Sequence, residues 1–245
     1  MHFVTATLIG GPTLVVTYAG LRLITDPTFD RPGEQSGLVK TRGPAVSRDH
    51  LGAIDLALVS HDHHPDNLDA SGRALLIDIP VVLTTVAGAG RVPGTVGLEP
   101  WTTLTVGDVA ITAVPALHGP PHVAEHTGPV VGFVLEADGW PTVYFSGDNS
   151  EVAVAREVAA AFPDVGLAIL CAGAARVANR GPDPLTLDSE RLAQVAALWP
   201  IATIVPVHIE DWAHFSEPRD ALVANWSGPS GRLTLLEPGM ATELS

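Results

Sequence analysis

The chain opens on short apolar segments broken by turn residues. Phe3 to Ile9, Thr13 to Tyr18 and Leu21 to Thr25 are separated by Gly10-Gly11-Pro12 and by Ala19-Gly20. Glycine pairs permit tight turns and β-branched residues fill the strands between them, which predicts an antiparallel meander. Further strands are predicted at Leu56 to Ser60, Val81 to Thr85, Val109 to Pro115, Val130 to Glu136, Thr142 to Phe145, Leu167 to Cys171 and Ile201 to Val205. Most are continuous apolar runs, as strands covered on both faces should be. Helical spacing appears later: Val154, Val158, Ala161 and Phe162 follow Ser150, a possible cap, and Leu192, Val195, Ala196 and Trp199 follow Thr186. A third helix is expected near Ser216, with Pro218 in its first turn. Residues 27 to 50 carry Pro27, Pro32, Gly33, Gly37, Gly43 and Pro44 with little periodicity and read as a long loop. Strands first, then strands alternating with helices, point to an α/β class built as two stacked sheets or a sheet pair flanked by helices.

Composition narrows this picture. A length of 245 residues suits a single α/β unit, and with no charge run, linker or repeat one domain over residues 1–245 is expected. Hydrophobic residues at 46% against charged residues at 16% supply enough apolar surface to offset the entropy of ordering, so wholesale disorder is excluded. The net charge of −14, with 13 Lys plus Arg, leaves no basic stripe for a phosphate backbone, and nucleic acid is not an expected partner. Cys171 is the only cysteine, so neither an intramolecular disulfide nor a thiolate zinc cluster is possible, and a reducing cytoplasm fits. The start lacks a signal-peptide pattern and no window approaches a membrane span, so neither secretion nor membrane insertion is expected. Oligomeric state stays open.

The chemistry concentrates at strand ends. Ala57-Leu58-Val59-Ser60-His61-Asp62-His63-His64-Pro65-Asp66-Asn67-Leu68-Asp69 places His61 and His63 directly after an apolar strand. Two residues apart in extended chain they point the same way, and paired imidazoles can share a metal. Pro65 suits the first position of a helix, which would put Asp66 in the opening turn at the positive end of the dipole. His118 follows Ile111 to Pro115, Asp148 follows Val143-Tyr144-Phe145-Ser146-Gly147, and His208 follows Ile204-Val205-Pro206-Val207. Carboxyl ends of strands gather at one rim of an α/β sheet, where ligands bind. Three histidines in a polar loop can also be a solvated turn; the residues downstream weigh against it.

This succession resembles the metallo-β-lactamase superfamily over nearly the whole chain. Thr25-Asp26-Pro27, Leu117-His118-Gly119-Pro120 and the segment from Val207 to Phe215 look most like the branch containing ascorbate-phosphate lactonase and N-acyl-phosphatidylethanolamine phospholipase D. The resemblance implies a four-layer αββα sandwich and a metal-dependent hydrolase that uses metal-bound hydroxide on a small ester, lactone, amide or phosphodiester. It also implies one or two divalent ions, Zn or Mn. His61, His63 and His118 would hold the first metal, Asp66 and His208 the second, and Asp148 would bridge them. Asp66 could also orient the water or pass a proton. The aspartate matching Asp26 hydrogen-bonds a ligand histidine in this family.

The chain departs from the family's His-x-His-x-Asp-His pattern. Two residues separate His63 from Asp66, and Asn67 stands where the last histidine should be, unless His64 swings in to replace it. An amide is the poorer zinc ligand, so the second site is expected to be weak, differently metallated or empty. Arg176 and His214 are candidate substrate contacts, with a surface ion pair and a packing role as the plain alternatives. His122 and His126 are as easily solvated, and Trp212 and Phe215 could wall a pocket or fill core. Two other functions remain: a redox iron site, against which no flavin module follows and His63 stands where flavodiiron proteins have Glu, and a non-catalytic metal-binding or ligand-sensing protein.

Overall fold

Two turns in the first 25 residues fold β1 (Val4–Gly10), β2 (Thr13–Tyr18) and β3 (Leu21–Thr25) into an antiparallel meander. The computed structural model describes residues 2–229 and 231–244. Beyond β3 the chain forms a small hairpin, β4 (Gly33–Gln35) and β5 (Leu38–Lys40), before returning as β6 (Leu56–Leu58) parallel to β3. Then come α1 (Ala70–Leu76), β7 (Val81–Thr85), α2 (Val86–Ala89) and β8 (Val96–Leu98). With the final strand β15 (Ala241–Leu244) on the free edge of β1, they give a seven-stranded sheet ordered β15-β1-β2-β3-β6-β7-β8.

The second sheet draws on β9 (Thr103–Val106), β10 (Val109–Ala116), β11 (Val130–Glu136), β12 (Thr142–Phe145), β13 (Val165–Cys171) and β14 (Thr203–Val207), ordered β14-β13-β12-β11-β10-β9. The first four run antiparallel, whereas β12, β13 and β14 are parallel, so crossover helices α4 (Val152–Ala161) and α5 (Ser189–Ala196) are required between them. Short α3 (Pro121–Thr127) links β10 to β11, and α6 (Arg219–Asn225) follows β14.

Alternation along the strands assembles the layers. In β13, Leu167, Ile169 and Cys171 enter the core between the sheets with Leu14, Leu56 and Phe133, while Ala168 and Leu170 face the opposite way onto Val158, Leu192 and Val195 of the helices. In β6 the same parity sends Leu56 and Leu58 inward and Ala57 outward, where it packs with Val59 and with Leu76 of α1. The result is an αββα sandwich. Period-2 runs apolar on both faces are what two-sided burial demands.

Several local expectations are corrected. Residues 27–50 contain the β4–β5 hairpin, whose tip at Ser36 and Gly37 (φ +50° and +87°) is the left-handed pair a tight turn needs. Pro65 starts no helix: residues 65–67 form a turn, and α1 begins at Ala70 with Asp69 accepting from the Gly72 N–H at 2.8 Å. Asp66 therefore meets no helix dipole. Ser150 does not cap α4; its hydroxyl donates to the Leu117 carbonyl at 3.2 Å. Asp188 rather than Thr186 caps α5, and α6 starts at Arg219, after Pro218.

Candidate metal centre

Five strand ends deliver the site to one rim. From the first sheet, β3 leads into Asp26 and β6 into Ser60 and His61; from the second, β10, β12 and β14 lead to His118, Asp148 and His208. The sheets are tied there by the Val131 N–H, which donates to the Ser60 carbonyl at 3.1 Å. Gly147 makes this approach possible: with φ +55°, a Cβ on it would lie 2.6 Å from the Val131 carbonyl and 2.8 Å from the Ser60 side chain. Asp26 (φ +31°) and His208 (φ +55°) also adopt left-handed backbone that L-residues avoid. Such positions cost roughly 1–3 kcal/mol each and cluster at functional sites. The strain at His208 is held by Gly11, whose carbonyl accepts the His208 N–H at 2.9 Å and whose missing Cβ would sit 3.6 Å from Nδ1.

Two groups of ligand-type atoms result. In the first, nitrogens of His61, His64 and His118 lie within 4.8 Å of one another. His61 Nε2 is 2.9 Å from His64 Nδ1, and the His118 Nδ1–H donates to the Leu185 carbonyl at 2.7 Å, leaving Nε2 toward the site. Burial, then the neighbouring imidazoles, pushes the His61 pKa well below the usual value, and the same causes push His64 down to about 4. Both rings are therefore neutral at physiological pH, the state in which imidazole ligates metal. His63 is not brought into this group: its Nε2 donates to the Thr127 carbonyl at 2.5 Å. The parity that would pair His61 with His63 requires extended chain, and the chain leaves it after Leu58 and turns through residues 62–68.

In the second group, oxygens of Asp66 and Asp148 and a nitrogen of His208 lie within 4.8 Å of one another, all buried. His208 Nε2 is 3.4 Å from Asp66 Oδ2 and 3.7 Å from Asp148 Oδ2, and His214 Nε2 is 3.1 Å from Asp66 Oδ2. Although burial favours the neutral acid, His208 and His214 hold the Asp66 carboxyl well below the usual range. Burial disfavours charge on His208, but Asp148, Asp66 and Asp26 together raise its pKa. Asp66 Oδ1, Asp148 Oδ2 and His208 Nε2 are buried without a hydrogen-bond partner. Unsatisfied buried polar atoms are rare and costly, and ligand-type groups this close together fit a cation.

A surrounding shell fixes both groups. Asp26 accepts from the Ser60 N–H at 2.6 Å and the Ser60 hydroxyl at 2.7 Å; Ser60 Oγ is 3.0 Å from His61 Nδ1. Asp26 thus reaches a histidine through Ser60 rather than directly, and leaves Ser60 Oγ to accept from His61 Nδ1. Burial raises the Asp26 pKa to about 7, with Asp148 adding to it against these donors. Asn67 Nδ2 donates to Asp26 Oδ2 at 3.2 Å and to Asp148 Oδ1 at 3.3 Å, a clamp between carboxylates in place of a ligand.

Sequence reasoning missed the residues that hold the motif loop. Burial opposes charge on Asp62, but Arg91 and Arg73, which pair with it, keep its carboxyl below the usual range. Buried Lys40 pairs with Asp69 at 3.3 Å, tying the hairpin to the start of α1. An Asp between two histidines with arginines downstream was the available signal. Arg176 is exposed and bonded to Ser216 Oγ at 3.1 Å and to the Pro182 carbonyl, away from the site, while His122 and His126 are exposed on α3. Trp212 and Phe215 are buried together with Val123, Ala175 and Leu185.

A cavity of about 240 Å³ opens over both groups, reaching His64, Asp66, His118 and His214. The hairpin tip, with Ser36 and Gly37, borders it.

Residues 21–209 match the family described as the beta-lactamase superfamily domain. A UPF0173 metal-dependent hydrolase of Anaeromyxobacter sp. (strain K) is 26% identical over 241 residues, covering 92% of this chain and 81% of its own. N-acyl-phosphatidylethanolamine-hydrolyzing phospholipase D 1 of Caenorhabditis elegans is 40% identical over 68 residues, 26% of this chain and 19% of that protein. The crystal structure of a possible metal-dependent hydrolase from Veillonella parvula DSM 2008 shares the fold, with a TM-score of 0.85 at 19% identity over 98% of this chain and 99% of that one.

Proposed function

The chain belongs to the beta-lactamase superfamily, and from that premise we propose that it is a metal-dependent hydrolase of a small ester, lactone, amide or phosphodiester. The observation that carries this reading is the set of buried, unpartnered acceptors on Asp66, Asp148 and His208 beside three mutually close imidazoles. His61, His64 and His118 would hold one Zn or Mn ion, and Asp66, Asp148 and His208 a second. A divalent cation supplies Lewis acidity, lowering the pKa of water and stabilising negative charge on an acyl or phosphoryl oxygen.

The chain's own groups do the rest. Asn67 holds Asp148 by Oδ1 and leaves Oδ2 free toward the cation position. The Leu185 carbonyl fixes the His118 tautomer, and the Asp26–Ser60 pair fixes that of His61. Asp66 is placed to orient the attacking water, and His214, whose Nε2 lies 3.1 Å from Asp66 Oδ2, is placed to supply a proton to the leaving group. Leu38, Val177 and Leu185 wall the cavity and limit competing water.

The test is metal analysis of protein purified without added metal, followed by a panel of esters, lactones, amides and phosphodiesters with Zn and with Mn. Bound divalent metal and turnover of at least one class are expected. Metal bound tightly with no turnover anywhere on the panel would overturn the hydrolase reading.

A further inference from the structure

Apart from its histidines and Asp66, the cavity lining is largely apolar, with Leu38, Ala175, Val177 and Leu185; Arg180 is its sole lysine or arginine. The two arginines of this segment do different things. Arg176 secures the loop, through Ser216, the Pro182 carbonyl and its own N–H, which donates to the His214 carbonyl at 2.9 Å. Arg180 sits one turn further on, and among the described residues its guanidinium makes no hydrogen bond, ion pair or ring contact.

Arg31 and Arg156 are likewise unpaired among the described residues, but both are exposed and neither lines the cavity, whereas Arg180 is half-buried in its wall. With 27 acidic residues against 13 basic ones, cations readily find partners, and Arg42, Arg73, Arg91, Arg191 and Arg219 all pair with carboxylates. The backbone places Arg180 firmly: its N–H donates to the Val177 carbonyl at 2.8 Å, Leu185 N–H to the Ala175 carbonyl at 2.8 Å, and Gly181 (φ +92°) reverses the chain. An unpaired guanidinium presents a planar fork of donors suited to carboxylate or phosphate oxygens. In a protein of net charge −14, a local cation favours the entry of an anionic molecule.

We infer that Arg180 recognises an oxyanion on the substrate, a carboxylate or phosphate carried on an apolar segment away from the bond cleaved. The inference rests on the hydrolase reading above and names its substrate class. The mono-4-nitrophenyl ester of glutaric acid, its neutral methyl-capped counterpart and a phosphate-tailed ester of equal length are the probes. The wild-type protein should prefer an anionic ester by kcat/KM, and Arg180→Gln should lower the anionic-to-neutral ratio by about 10-fold or more, the scale of one lost charged contact. Arg180→Lys, which keeps charge without the fork, should fall between them, and Arg156→Gln on exposed α4 should keep the wild-type ratio. The larger of the two anionic preferences identifies carboxylate or phosphate as the natural end. Glutarate binding to metal-loaded protein, by calorimetry, should weaken in parallel in Arg180→Gln. No anionic preference in the wild type, or a preference that survives Arg180→Gln, would overturn the inference while leaving hydrolysis intact. Arg180-dependent glutarate binding with no turnover of any ester would support the anion site and overturn the hydrolase reading instead.

Discussion

The two halves of the centre differ in how they are satisfied. The nitrogen group, in which burial holds His61 and His64 neutral, is largely bonded to itself and to backbone: His61 meets His64 at 2.9 Å, and His118 meets the Leu185 carbonyl. The carboxylate group concentrates two acids and one imidazole and leaves one oxygen of each acid and both nitrogens of His208 buried without a hydrogen-bond partner. Neutral imidazoles suit zinc; a site of two carboxylates and one imidazole accepts harder ions such as manganese. The difference teaches that the two positions need not hold the same metal or hold it equally well.

The largest expected effect comes from dismantling the groups one at a time. His118→Ala should strip the nitrogen group and lower turnover by orders of magnitude, since a cation's contribution to activating water is itself that large. Asp66→Ala should remove one equivalent of metal and leave the nitrogen group loaded. Titration of apo-protein with Zn and Mn reads both, and two equivalents at unchanged affinity in Asp66→Ala would dissolve the distinction between the halves.

A narrower contrast separates the adjacent histidines. His64→Ala should cost the nitrogen group its ion, whereas His63→Ala removes a bond to the Thr127 carbonyl and ring contacts with His61 and His64 but no member of the group, and should keep metal content near wild type. The reverse pattern, measured by metal analysis, would restore the alternation that holds for extended chain.

The smallest effect concerns Asp26, beneath both groups. Its pKa of about 7 lies above that of an unfolded aspartate, so protonation favours the folded state. The stability it contributes is fully present below about pH 4 and is lost as pH rises through about 7. Asp26→Asn cannot ionise, so the metal-free variant should gain on metal-free wild type as pH rises from about 4 to about 7, read as urea midpoints. A difference that stays flat across that range would remove the pH dependence assigned to Asp26.

Where sequence reading succeeded, one physical signal was strong. The bounds of β2, β3, β7, β11 and β12 were legible because apolar runs end at turn residues. β8, β9 and the hairpin were not, because short strands with exposed side chains, such as Gly33–Gln35, carry no apolar pattern. α1 was hidden because only Gly72 and Leu76 of its seven residues are buried. At the site, ligand-type residues stood out because they follow strands. The choice between His63 and His64 depends on how an irregular segment turns, which periodicity does not encode.

The seam at Gly147 has a mechanical consequence. Each ligand group takes members from both sheets: His61 and His64 with His118, and Asp66 with Asp148 and His208. A cation in either group is then a fastener between segments far apart in sequence, and its binding free energy is also free energy of holding the layers together. A ligand at 1,000 times its dissociation constant favours the docked state by about 4 kcal/mol. In a chain whose single cysteine can form no internal cross-link, ions would serve as removable rivets, and a chelator would act on the joint between sheets as much as on the chemistry.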